Sequence, residues 1–433
     1  MKTGASSPSS GRGVRRRPVI VAATAGLVVL AACGTPPAAS PATTSTMTVP
    51  APGYANEMGP VLAELVESMQ VPSAVVVVRS SEFGDATFRF GSRVLGGNEL
   101  PATSDHYRIG SITKTMTATV ILQLAQEGKV SLDDPISKYR ADVPNGDTIT
   151  IAQLLDMRSG LAGYTENPVF GRAVDEDPER IWSPEELLAL AFSAPALSAP
   201  GTTWQYSNTN YVLLGLVMED VTGQTVPELF QQRIFDPLGL DSTVMPALDD
   251  ASIPAAYAHG YQFGTAQQIF RPDPALLADE QQEAADGELL PTDWSGASPS
   301  VAWTAGSAIS TADDLVVWAK ALVDSGLLDA EMQAQRLASI QPLDPAQPDG
   351  PAYGSGMVRG GSYYGHAGQI AGYESQVIRD PETDTTIVVL AALPVSPDGR
   401  GPASELTRAV REHLPGTASS STTTVPEPAT SRP

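Results

Sequence analysis

Strand-forming sequence stands at the two ends of this chain, and helix-forming sequence fills the middle. Near the start, the β-branched run at residues 74–78 is followed by a second candidate strand at 86–90. Near the end, strand patterns return at 361–366, 372–379 and 385–393, and a helical pattern at 403–413 closes the series. Between them the apolar spacing is helical at 111–127, 184–192, 209–221 and 311–323, with Gly128 and Gly223 where C-terminal caps fall. An opening helix over 56–69 puts Met58, Leu62, Leu65 and Met69 on one face. This order predicts an α+β chain with one sheet whose early and late strands meet. A largely helical lobe is inserted between them.

The 433 residues are 42% apolar, enough for one large domain or two lobes plus tails. The folded unit is expected over 54–414, flanked by three segments of other character. Arg12, Arg15, Arg16 and Arg17 precede an apolar run at 19–32, too short to span a bilayer comfortably but suited to a signal peptide. The run ends in Leu30-Ala31-Ala32-Cys33-Gly34, which looks like a bacterial lipoprotein signal with Cys33 as the lipidated residue. The chain would then be extracytoplasmic and membrane-anchored. Cys33 is the only cysteine, so no intramolecular disulfide can form. Residues 33–53 are rich in Thr, Pro, Ala and Ser and read as a flexible tether; 415–433 read as a disordered tail. The formal charge of −23 argues against nucleic acid, which needs clustered Lys and Arg.

Three short motifs carry chemistry. Ser111-Ile112-Thr113-Lys114 opens a helix that is apolar at Ile112, Met116, Val120 and Leu124. A serine there sits where backbone N–H groups lack intrahelical acceptors, at the positive end of the helix dipole. Lys114, one turn on, can take the proton of Ser111 if it is uncharged. Bringing a lysine from about 10.4 to about 7 requires roughly 4–5 kcal/mol of desolvation or neighbouring charge. Beyond residue 32 the chain has only four lysines, and this one lies in an otherwise uncharged helix. Tyr206-Ser207-Asn208 precedes a helix, so a phenol that passes protons and an amide that binds a carbonyl share one turn. His366-Ala367-Gly368 falls on a late strand. Gly368 admits a close approach, and the N–H of Gln369 could complete an oxyanion hole with that of Ser111.

The three motifs in this order resemble the penicillin-recognising serine hydrolases, specifically the class C β-lactamase and D-alanyl-D-alanine carboxypeptidase-like family. Leu154-Leu155-Asp156-Met157-Arg158-Ser159-Gly160-Leu161, Tyr211-Val212-Leu213-Leu214-Gly215 and Tyr353-Gly354-Ser355-Gly356 fit the same pattern. The resemblance implies an antiparallel sheet flanked by N- and C-terminal helices and an all-helical lobe, with the active site between them. It implies Ser111 as the acylated nucleophile, Lys114 as base, Tyr206 as proton carrier, and Asn208, His366, Gly368 and Gln369 as the substrate-binding set. No metal or cofactor is implied. The partner is a peptidoglycan stem peptide, a β-lactam or an ester. One departure is Ala367, where a hydroxyl often helps bind a substrate carboxylate; Arg359 and Arg379 are then the candidate cations.

The reading is a lipid-anchored serine hydrolase, of carboxypeptidase type before β-lactamase or esterase. A non-catalytic binding lipoprotein on the same fold is the alternative of another class, and it predicts no covalent adduct. A Ser-His-Asp mechanism through His366 lacks a Gly-x-Ser-x-Gly elbow.

Overall fold

The computed structural model describes residues 52–269 and 274–415. The expected signal peptide, the lipidation residue Cys33, almost all of the tether and almost all of the tail lie outside the described residues. Among the described residues twelve strands are formed: β1 (Ser73–Ser80), β2 (Ala86–Gly91), β3 (Tyr107–Arg108), β4 (Tyr261–Gln262), β5 (Thr292–Asp293), β6 (Ile309–Ser310), β7 (Gln341–Pro342), β8 (Ala352–Gly354), β9 (Met357–Gly360), β10 (Tyr363–Ile370), β11 (Tyr373–Asp380) and β12 (Thr385–Ala391). Eight of them make one antiparallel sheet in the order β2-β1-β12-β11-β10-β9-β8-β7. The early and late strands do meet: Val76 lies opposite Val389 and Val77 opposite Val388.

Helices Gly53–Ser68 and Pro402–His413 pack on each other, the latter also on β11 and β12. Helix Ala312–Asp324 packs against the same strands from the opposite face. Both faces of β11 and β12 are therefore covered, and every residue of the two strands is buried. The strands read as near-continuous Val, Ile and Leu runs because no face has to meet water. Helices from Thr113 through Leu238 form the inserted lobe, so the α+β architecture is as expected.

Details differ from the sequence reading where patterns are weak. The strand expected at 361–366 runs to Ile370, through Gly368. The short strands β7, β8 and β9, which end the sheet on one side, are not predicted, since runs of two to four residues carry no periodicity.

Candidate active site

Ser111 sits in a tight turn that precedes the helix rather than in its first regular turn. A single 3₁₀ turn, Gly110–Ile112, leads into helix Thr113–Gln126. Gly110 has φ +51°, and a Cβ there would lie 2.6 Å from the Gln369 nitrogen. Only glycine fits both the left-handed conformation and that contact. Across the same junction a Cβ on Gly368 would lie 2.0 Å from the Ile109 carbonyl oxygen, so the close approach expected at Gly368 is to protein backbone. Ser375 Oγ donates to that carbonyl at 2.8 Å, and Ile109 N donates to Ala308 O at 3.0 Å. The turn is thus clamped between β10 and the start of β6, with the Ser111 and Gln369 N–H groups on facing segments.

Lys114 is fully buried. Its Nζ donates to Asn208 Oδ1 at 2.7 Å and to the Ala305 carbonyl at 2.7 Å, and it lies 2.9 Å from Ser111 Oγ. Burial with no carboxylate beside it holds its pKa well below the usual lysine range. A neutral amine has two N–H bonds and one lone pair. Asn208 Oδ1 and the Ala305 carbonyl can only accept, so they take both N–H bonds, and the lone pair is left facing the Ser111 hydroxyl. Among the functional groups, the Ala305 carbonyl was not foreseen, because a backbone acceptor leaves no signature in residue type.

Asn208 begins helix Asn208–Thr222 and also donates to Thr165 Oγ1 at 3.4 Å. The turn ahead of it is docked on the segment around Met157: Gln205 N donates to Met157 O at 2.8 Å, and Thr209 Oγ1 donates to Ala162 O at 2.8 Å. Tyr206 is half-buried, with its ring centroid 4.8 Å from Lys114 Nζ. Its Oη is enclosed and forms no hydrogen bond with any described residue. Burial pushes the phenol pKa up and the adjacent Ser111 hydroxyl pulls it down, yet the two hydroxyls stop short of a bond in the resting site. A phenol of this kind is free to donate once a leaving group or water arrives.

His366 departs from expectation. It is buried on an interior strand, with Nδ1 meeting the Ala367 carbonyl and Nε2 3.5 Å from Tyr353 Oη. Its ring stands 6.3 Å from that of Tyr206, behind the phenol, and it does not line the pocket at Ser111. Burial and the nearby Lys114 push its pKa down to about 3, so it is neutral and carries no charge to offer a carboxylate. Arg379 does not serve either. Its guanidinium is held by Asp324 at 2.6 Å and Asp384 at 2.8 Å, away from the pocket, and Arg359 on β9 does not line the pocket.

The pocket beside Ser111 has a volume of about 590 Å³, part of it open to solvent. Its wall is apolar, with Phe170, Val174, Ile269, Val301 and Ile370, and Asn208 and Gln369 stand beside the nucleophile. None of the described residues that line it carries a charge. Among the described residues no group of three or more His, Cys, Asp or Glu could hold a metal ion.

Known proteins are similar to this chain in sequence and in fold. The sequence profile of the β-lactamase family matches residues 61–412. The D-alanyl-D-alanine carboxypeptidase/endopeptidase AmpH of Escherichia coli is 33% identical over 41% of this chain and 46% of its own. A penicillin-binding protein of Bacillus subtilis, PbpX, is 28% identical over 41% of this chain and 42% of its own. The matches thus span under half the length of these curated relatives. Among solved structures, a D-stereospecific amidohydrolase from a Streptomyces species superposes with TM-score 0.68 at 29% identity, covering 83% of this chain and 99% of that one. The D-amino acid amidase of Ochrobactrum anthropi superposes with TM-score 0.68 at 25% identity, covering 84% of this chain and 98% of that one. With the profile match running through nearly all of the folded chain, the protein belongs to the β-lactamase family and is a serine hydrolase.

Proposed function

We propose that the protein is a peptidase of the D-alanyl-D-alanine carboxypeptidase type that works through an acyl-enzyme on Ser111. One observation carries the reading: a fully buried lysine amine, without a counterion, 2.9 Å from a serine hydroxyl at the mouth of a pocket. Ser111 Oγ attacks the scissile carbonyl as its proton passes to Lys114 Nζ. The developing oxyanion is received by the N–H groups of Ser111 and Gln369. The proton then moves through Tyr206 Oη to the leaving nitrogen, the C–N bond breaks, and the acyl group remains as an ester on Ser111. Water, deprotonated by the same pair, attacks that ester, and Ser111 regains its proton as the acid departs. Export and anchoring through a lipid on Cys33 would place this chemistry at the cell wall.

A second reading has its own support. Ala367 lacks a hydroxyl, His366 is neutral, and no described pocket residue is cationic. A substrate without a carboxylate, such as an amino-acid amide of the kind bound by the similar D-amino acid amidase, meets no unpaired charge here.

Two peptides ending in D-alanyl-D-alanine, one with a free and one with an amidated C-terminus, separate the two readings. Intact-mass spectrometry follows the Ser111 adduct, and chromatography follows the product. Preference for the free acid supports the carboxypeptidase, and equal or faster use of the amide supports the amidase. No adduct and no turnover, with the Ser111→Ala variant indistinguishable from the unaltered protein, would refute both.

A further inference from the structure

The polar groups around the nucleophile are mostly committed. Ser111 Oγ and Asn208 Oδ1 hold Lys114, Tyr164 Oη donates to the Val301 carbonyl at 2.8 Å, and Gln369 Nε2 donates to the Pro394 carbonyl at 3.1 Å. Gln262 differs. It lines the same pocket, is 1% exposed, and neither its Nε2 nor its Oε1 has a hydrogen-bond partner among the described residues. A buried amide left unmatched at both ends costs free energy that a bound water or a ligand's own amide would recover.

Its mounting is rigid. Gln262 stands on β4, where Tyr261 N donates to the Ala392 carbonyl at 3.1 Å and the Tyr261 hydroxyl accepts from Leu95 N at 2.8 Å. Gly260 just before it packs against the Tyr373 ring, which a Cβ would approach to 2.4 Å. The backbone that carries Gln262 is therefore held in place, and its amide lies inside an apolar wall.

Resting on the hydrolase reading above, we infer that Gln262 reads a neutral amide on the acyl donor. Its Oε1 accepts from the substrate N–H while its Nε2 donates to the substrate carbonyl. A carboxamide is complementary to a peptide group at both ends, and no charged described residue beside it favours an ion. The pocket then selects acyl donors that carry an acylamino group next to an apolar side chain. It rejects plain alkanoyl esters of the same shape, because they leave the glutamine unpaired.

The test compares p-nitrophenyl esters of N-acetyl-D-phenylalanine and of 3-phenylpropanoic acid. These share the leaving group and ring and differ only in the acetamido substituent. For Gln262→Met, kcat/KM for the acetamido ester falls about 10- to 100-fold, whereas the plain ester changes by less than about threefold. Gln262→Glu, which keeps the shape but lacks the donor, also loses the preference, so a folding failure in one variant does not decide the matter. Equal losses on both esters, or no change on either, overturn the inference and leave the hydrolase reading standing. If the unaltered protein neither hydrolyses the esters nor forms a Ser111 adduct, the hydrolase reading fails and the inference falls with it.

Discussion

Replacing Lys114 with Met tests the claim that the amine is a base kept neutral by burial. Activity and stability should separate. Removing a general base 2.9 Å from the nucleophile should lower kcat/KM by about 10²- to 10⁴-fold. Stability responds to two opposed effects. The variant strands the buried acceptors Asn208 Oδ1 and Ala305 O, at about 1–3 kcal/mol each. It also removes an amine that loses its proton on folding, which offsets much of that loss near neutrality. The pH dependence identifies the second effect. A lysine with a depressed folded pKa binds fewer protons folded than unfolded, so its protein gains stability as pH rises toward the unfolded value, by up to about 1.4 kcal/mol per unit. Chemical denaturation between pH 7 and 9 should show the unaltered protein gaining on Lys114→Met over that range. Parallel stability curves would mean that the lysine is charged in the folded state. A variant retaining activity within tenfold would mean that it is not the base. Either result refutes the reasoning.

Tyr206→Phe removes an enclosed hydroxyl that has no partner in the resting site, so its melting temperature should stay level or rise while turnover slows by about 10²- to 10⁴-fold. A lower melting temperature with unchanged turnover would make Tyr206 structural. Gly110→Ala should cost more than about 1 kcal/mol from the left-handed backbone alone, and the Cβ would also strike Gln369, so both stability and acylation should fall in denaturation and mass measurements. Asp156 is partly reached by solvent, and burial raises its carboxyl to about 6 from 3.8, so its stability contribution is present below about pH 3.8 and is lost as pH rises through 6. Asp156→Asn should match the unaltered protein in acid and exceed it above pH 6, by at most about 3 kcal/mol, in urea titrations.

What could be read from sequence depended on whether a function needs a residue type or a place in space. Ser111 and Lys114 meet as the spacing suggested, since Ser-x-x-Lys spans one helical turn, whereas Asn208, read as a substrate-binding amide, has its Oδ1 taken by Lys114. The central strands were legible from their β-branched runs. His366 was not, because a strand covered on both faces gives no alternation to say which way a side chain points. The Ala305 carbonyl and Gln262 were invisible for different reasons: one is backbone, and the other sits on a strand of two residues. Ala367 was legible as a departure, and the uncharged described pocket agrees with it.

The pairing of β1 with β12 has a temporal consequence. The strand that closes the sheet is nearly the last to be synthesised, yet it lies between β1 and β11, and β11 in turn carries β10 against the Ser111 turn. Until residues 385–391 have emerged, the early hairpin has no neighbour on its inner edge, and Gly110 has no fixed Gln369 to lean on. Such long-range closure is slow to form. A chain stopped short of β12 would hold every catalytic side chain and still have no catalytic site. Hydrolysis by this protein would therefore report that the chain has been made through β12 and folded.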